Sequence, residues 1–211
     1  MLIIPAILSN DPAEIRVLLE KCETAGVERA QIDVIDNKFA DNLTVDPLIL
    51  KQIHTFINLD FHLMVKGPID WIDHCLQGPK TRIIGQIEYM ENQADFIRKI
   101  KENGSLAGLA LDLNTPPDKL DQNALKDVDV VLLMSVPAGF GGQEFDMAVW
   151  EKVDIVAQLR SSLNLNFKIL IDGGVTKELV NQMQKSGVDE AAVGRRIFEP
   201  DLKENLEVFN G

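Results

Sequence analysis

"FKILIDGGVTKELVNQMQK", residues 167–185, holds one complete structural unit. Its first six residues form a short apolar run that closes on Asp172, two glycines turn the chain, and Lys177 to Lys185 carries apolar residues at helical spacing. The same alternation extends to both ends of the chain. Strand-like runs at 2–8, 29–35, 59–65, 81–87, 106–112, 129–135 and 190–194 are followed by helical patterns at 11–25, 46–56, 69–76, 92–103, 118–125, 146–163 and near Leu202. Asn10 or Asp11 can cap the first of these helices and Gly26 can end it. Eight strand-helix units in 211 residues, with no linker or low-complexity stretch, predict an α/β chain folded as a single (β/α)8 TIM barrel over residues 1–211. An open doubly wound sheet fits this pattern less well.

The bulk composition agrees with one sizeable core: 45% of residues are hydrophobic and 26% are charged. A formal net charge of −12 and the lack of a basic run argue against nucleic acid, whose binding is dominated by Lys and Arg against phosphate. An anionic small substrate then needs a local site that outweighs the global field. The opening "MLIIPAIL" is short, lacks a basic flank and runs into Ser9-Asn10-Asp11-Pro12, so it reads as neither a signal peptide nor a membrane span. A cytoplasmic location and no membrane partner are expected. Cys22 and Cys75 fall in helix-like segments without C-x-x-C spacing and read as reduced packing residues, as His54 and His74 read as surface or packing residues.

In a barrel of this kind chemistry belongs at the carboxyl ends of the strands. The polar residues that interrupt the apolar runs stand there: Ser9, Asp33, His62, Gln86, Asp112, Ser135 and Asp172. Because strand side chains alternate, Gln31, Asp33 and Ile35 share one face, and His62 shares a face with Met64. Asp33 and Asp172 therefore converge with His62 on one pocket, where an inward carboxylate needs a cation, a partner or a task. Asp36, beside Asn37, reads instead as a turn former.

Two further features suit an anion. "SVPAGFGGQEF" (135–145) places Gly139, Gly141 and Gly142 in one short loop, leaving backbone N–H groups free to cradle a phosphate. "DGG" (172–174), with Gly173 and Gly174, and "VGRR" (193–196), with Gly194 and Arg195, follow strands 7 and 8, where barrels often bind phosphate.

These motifs, taken in order, resemble the ribulose-phosphate 3-epimerase family. "PAILSND" is similar to its P-S-I-L-S-A-D opening, "QIDVIDNKFADNLT" to H-V-D-V-M-D-G-x-F-V-P-N-L-T, and "FHLMV" to D-x-H-L-M. "LMSVPAGFGGQEF", "IDGGVT" and "VGRRIF" resemble M-S-V-x-P-G-F-G-G-Q-x-F, V-D-G-G-V and A-G-S-x-I-F. The resemblance implies epimerisation at C3 of a pentulose 5-phosphate, with Asp33 and Asp172 as the acid/base pair. It also implies a divalent metal to stabilise the enediolate, methionines such as Met64 and Met134 that exclude water, and Ser9 bonded to the sugar. The expected partner is a phosphorylated ketose, and the chain is expected to act as a homo-oligomer.

The departures lie at the metal, among the methionines and in the loop after strand 8. Gln31 stands where the family has its first metal-binding histidine, Gln86 where a further histidine follows strand 4, Ile35 in place of a third methionine, and Arg195 in place of a serine. A set of Gln31, Asp33, His62 and Asp172 is rich in oxygen, which favours Mn²⁺ or Mg²⁺ over the Zn²⁺ or Fe²⁺ that imidazole suits. Arg195 adds a guanidinium able to pair with phosphate. Two other readings remain: a diverged, non-catalytic sugar-phosphate binder, and another enzyme of the same barrel, such as a decarboxylase. The decarboxylase pattern Asp-x-Lys-x-x-Asp is missing, since strand 3 reads Phe61-His62-Leu63-Met64.

Overall fold

Every apolar run becomes a strand: β1 (Leu2–Ile7), β2 (Arg29–Ile35), β3 (Asn58–Met64), β4 (Arg82–Gln86), β5 (Leu106–Leu111), β6 (Val130–Met134), β7 (Lys168–Asp172) and β8 (Glu190–Val193). The computed structural model describes residues 1–78 and 80–210, and in it these strands pair in parallel, in chain order, as a closed barrel. Closure leaves no free sheet edge. The helices described are α1 (Pro12–Thr24), α2 (Pro47–Leu50), α3 (Ile72–Cys75), α4 (Gln93–Glu102), α5 (Val149–Ser162), α6 (Lys177–Lys185) and α7 (Leu202–Asn210). Asp11 caps α1 by accepting from the Ala13 N–H at 2.8 Å, and Gly26 follows it at φ 73°. No helix among the described residues is long and apolar enough to cross a membrane.

Two expected helices fall short. The segment 46–56 is helical only over Pro47–Leu50, because Lys51, Gln52 and Ile53 then donate three residues back, and Glu23 captures the Thr55 hydroxyl at 2.6 Å and the Phe56 N–H at 2.9 Å. His54 therefore lies outside any helix and is exposed. The segment 118–125 forms no α-helix, only 3₁₀ turns at Pro117–Lys119 and Ala124–Lys126. Pro116 is held extended, and the Asp121 side chain takes the Asn123 N–H at 2.8 Å, a local bond that competes with a helix. The segment 69–76 begins as a 3₁₀ turn, Pro68–Trp71, before α3.

Period-two alternation sorts the core into two clusters. Outward residues such as Ile3, Ile32, Phe61, Leu63, Ile83 and Leu109 pack under the helices, and Cys22 and Cys75 lie among them as buried free thiols pushed upward in pKa by burial. Inward residues, among them Ile4, Ala6, Ile84, Ala110, Leu132 and Leu170, fill the barrel itself. Its floor is ionic. Asp60, fully buried, pairs with Arg29 and Arg82, and Arg82 Nη1 lies 2.7 Å from Glu190 Oε2.

Candidate active site

The register of β2 on β3 sets Asp33 beside His62 and Ile35 beside Met64, while β6 and β7 set Met134 beside Asp172. All face the open end of the barrel. The residue that ties the carboxylates together is Gln31, fully buried one layer below: its Nε2 donates to Asp33 Oδ1 at 2.8 Å and to Asp172 Oδ2 at 2.6 Å. His62 Nδ1 stands 3.3 Å from Asp33 Oδ1 and 3.5 Å from Asp172 Oδ2, and its Nε2 is 3.1 Å from Gln86 Nε2. Thus two aspartates from opposite parts of the chain share one amide and one imidazole.

Burial and the neighbouring charges compete in the electrostatics. Burial pushes the Asp33 carboxyl above the usual range, a rise aided by the Asp172 charge and opposed by His62 and Gln31. Burial alone would lower the His62 imidazole, but the nearby Asp172 and Asp33 carboxylates outweigh it and lift the ring to about 9. Asp33, His62 and Asp172 each offer one ligand atom, and these lie within 4.8 Å of one another. The buried Gln31 Oε1 and His62 Nδ1 have no hydrogen-bond partner among the described residues. Two carboxylates and an imidazole therefore fit a divalent cation, while the amide of Gln31 faces the carboxylates through its Nε2.

Above this cluster lies a cavity of about 760 Å³. Asp33, Met64, Met134 and Asp172 line it, and so do Gly139, Gly141, Gly142, Gly173, Gly174, Gly194 and Arg195. Three of these glycines are required by space, Gly173 (φ 112°) because a Cβ there would lie 2.6 Å from the Val136 Cγ2. A Cβ on Gly139 (φ 111°) would lie 2.4 Å from the Ala40 Cβ, and one on Gly174 (φ 55°) would lie 2.3 Å from the Phe145 backbone nitrogen. Gln31 and His62 lie beneath the cavity rather than on its wall.

Ser9, expected at the sugar, is not among the lining residues: its hydroxyl donates to Glu14 Oε2 and accepts the Asp11 N–H at 3.0 Å, so its single proton is already committed. Glu14 lines the cavity instead, with Val17, Leu18 and Lys21 of α1. The sequence reading did not include these; their helical spacing toward the glycine loops is the signal that α1 borders the mouth. Asp36 is the turn former expected, accepting from the Lys38 and Phe39 N–H groups at 2.9 and 3.0 Å.

Comparison with known proteins gives one consistent result. The model of the ribulose-phosphate 3 epimerase family matches residues 2–198. The ribulose-phosphate 3-epimerase of Escherichia coli (strain K12) is 35% identical over 212 residues, covering 98% of this chain and 93% of that protein. That of Bacillus subtilis (strain 168) is 31% identical over 211 residues, covering 98% and 97%. A mutant tryptophan synthase alpha-subunit from Pyrococcus furiosus superposes with a TM-score of 0.67 at 16% identity, covering 99% of this chain and 97% of that one, a likeness of fold alone.

Proposed function

The chain belongs to the ribulose-phosphate 3-epimerase family and is an isomerase of the epimerase type, and from that premise we propose that it interconverts pentulose 5-phosphates at C3 by proton transfer between Asp33 and Asp172. The observation that carries this reading is the placement of the two carboxylates on the cavity wall, held together by the amide of Gln31. The C2 ketone acidifies the C3–H. One carboxylate removes that proton and the other returns one to the opposite face, which inverts the centre. Asp33, raised in pKa chiefly by burial, is the member suited to hold a proton at rest, so Asp172 starts as base in one direction and the roles reverse in the other.

A divalent ion held by Asp33, His62 and Asp172, joined by the carbonyl oxygen of Gln31 once its amide turns over, would supply positive charge against the oxygens that become negative. Met64 and Met134 wall the site and exclude water from the reacting carbon. The glycines after β6, β7 and β8 offer backbone N–H groups to the phosphate, and Arg195 offers its guanidinium. Turnover of ribulose 5-phosphate, followed by solvent deuterium appearing at C3, tests the assignment. Binding of the sugar phosphate without exchange would favour the non-catalytic reading.

Two results are expected from substitutions here. Gln31→His removes the neutral amide and restores an imidazole, so zinc retention after dialysis should rise on the order of tenfold. Equal retention by wild type would make Gln31 a competent ligand as it stands. Arg195→Ala should weaken phosphate binding by about 1.5–2 kcal/mol, the low end for a charge-assisted hydrogen bond because Arg195 is exposed. Unchanged affinity by calorimetry would leave the anion to the backbone N–H groups.

A further inference from the structure

Behind the glycine loop lies a buried cation that the mechanism above does not use. Lys152, the fourth residue of α5, is only 7% exposed, and its ammonium donates to the main-chain carbonyls of Asp112 and of Leu113, the latter at 3.1 Å. These two residues immediately follow β5, where the chain forms no α-helix. Asp112 is the hub of what surrounds them. Its N–H donates to Glu88 Oε1 at 2.8 Å, and its own Oδ1 accepts from the Leu113 N–H and from the Ala138 N–H, both at 2.8 Å. Ala138 directly precedes Gly139, whose carbonyl accepts from Asn42 Nδ2 at 2.8 Å. The entry to the glycine loop is thereby clamped at two successive residues, from the β5 side by Asp112 and from the β2 side by Asn42.

Burying an ammonium is expensive, and an apolar side chain would fill the same space at lower cost. Burial indeed pushes the Lys152 ammonium down to about 8, against the pull of Asp112 and Glu88. Lys152 fixes the Asp112 backbone, and the Asp112 carboxylate fixes Ala138. We propose that Lys152 is a positioning residue for anion binding: acting through Asp112, it holds the glycine loop with its N–H groups preorganised toward the phosphate of the substrate. It touches no substrate atom. The inference rests on the reading of this loop as a phosphate cradle.

Sulfate is the probe, because it mimics phosphate without titrating near neutral pH. Calorimetry on the full chain at pH 7 should show Lys152→Met weakening sulfate about tenfold, with KM for ribulose 5-phosphate rising by a similar factor and kcat changing less. Asp112→Ala, which removes the acceptor for Ala138, should reproduce this loss, whereas Asp112→Asn, which keeps an oxygen there, should restore most of the affinity. This second pair carries the test if Lys152→Met does not fold. Wild-type sulfate affinity in folded Lys152→Met, or in Asp112→Ala, overturns the inference alone. No sulfate binding by the wild type overturns the cradle reading and this inference with it.

Discussion

Replacing Asp172 with asparagine is expected to slow exchange of the substrate C3 proton by roughly 10²–10⁴-fold, the usual contribution of a positioned general acid or base. That is roughly 2.7–5.4 kcal/mol of barrier. Asparagine matches aspartate in shape but neither takes up nor returns a proton at neutral pH. The loops should survive the change, because it is the main-chain carbonyl of Asp172, not its side chain, that accepts the Ser135 N–H at 2.8 Å and the Ser135 hydroxyl at 2.9 Å. Affinity for a phosphate ligand should therefore stay within about tenfold of wild type. Asp33→Asn should lose exchange to a similar degree, and the double variant should be little worse than either single one, since the two carboxylates act as a unit. Deuterium incorporation followed by proton NMR measures all three. Wild-type exchange in either single variant would remove that aspartate from the chemistry.

The second large effect is on stability. Asp60→Ala is expected to lower the free energy of unfolding by about 3–5 kcal/mol, because it leaves Arg82 buried in the barrel floor with only Glu190 opposite it and takes the carboxylate from Arg29. Asp60→Asn, which keeps one acceptor, should cost less. Urea unfolding should show a lower midpoint with an unchanged slope, the mark of lost stability rather than an altered unfolded state. A cost below about 1 kcal/mol would mean that the arginines find other partners, a course open to Arg29, which already donates to the Lys80 carbonyl at 3.2 Å.

The strands were legible because a buried parallel strand needs an unbroken apolar run, and Arg29–Ile35 and Lys177–Lys185 have the same limits in the sequence reading and the structure. Helix lengths after β2 and β5 were not, since side chains distant in sequence or local turns take over the backbone: Glu23 captures Thr55 and Phe56, and Asp121 captures Asn123. The alternation that places Asp33 inward also places Gln31 inward, but only the closed barrel shows that its amide reaches Asp172, 141 residues away. Read by itself, the glutamine is a missing metal ligand. Asp60 and Arg82 share the phase of His62 and Gln86, so their inward direction was readable, while their pairing depends on barrel closure. Lys152 gave no signal, because a lysine on an amphipathic helix is ordinarily solvated.

The bond lengths at Gln31 bear on how successive turnovers connect. In the proposed reaction each inversion delivers the enzyme into the mirror protonation state, with the proton parked on the opposite aspartate from the one that held it before. A free enzyme of this sort either waits for internal reshuffling or starts the return journey directly from where it stands. Gln31 sends one amide hydrogen to each carboxylate, at 2.8 and 2.6 Å, so neither state forfeits a hydrogen bond when the proton changes sides. An imidazole at residue 31 has a single N–H to offer this pair and would favour one state over its mirror. In the proposed reaction the glutamine would thus treat the two protonation states alike in hydrogen bonds, leaving burial, which favours the proton on Asp33, as what separates them.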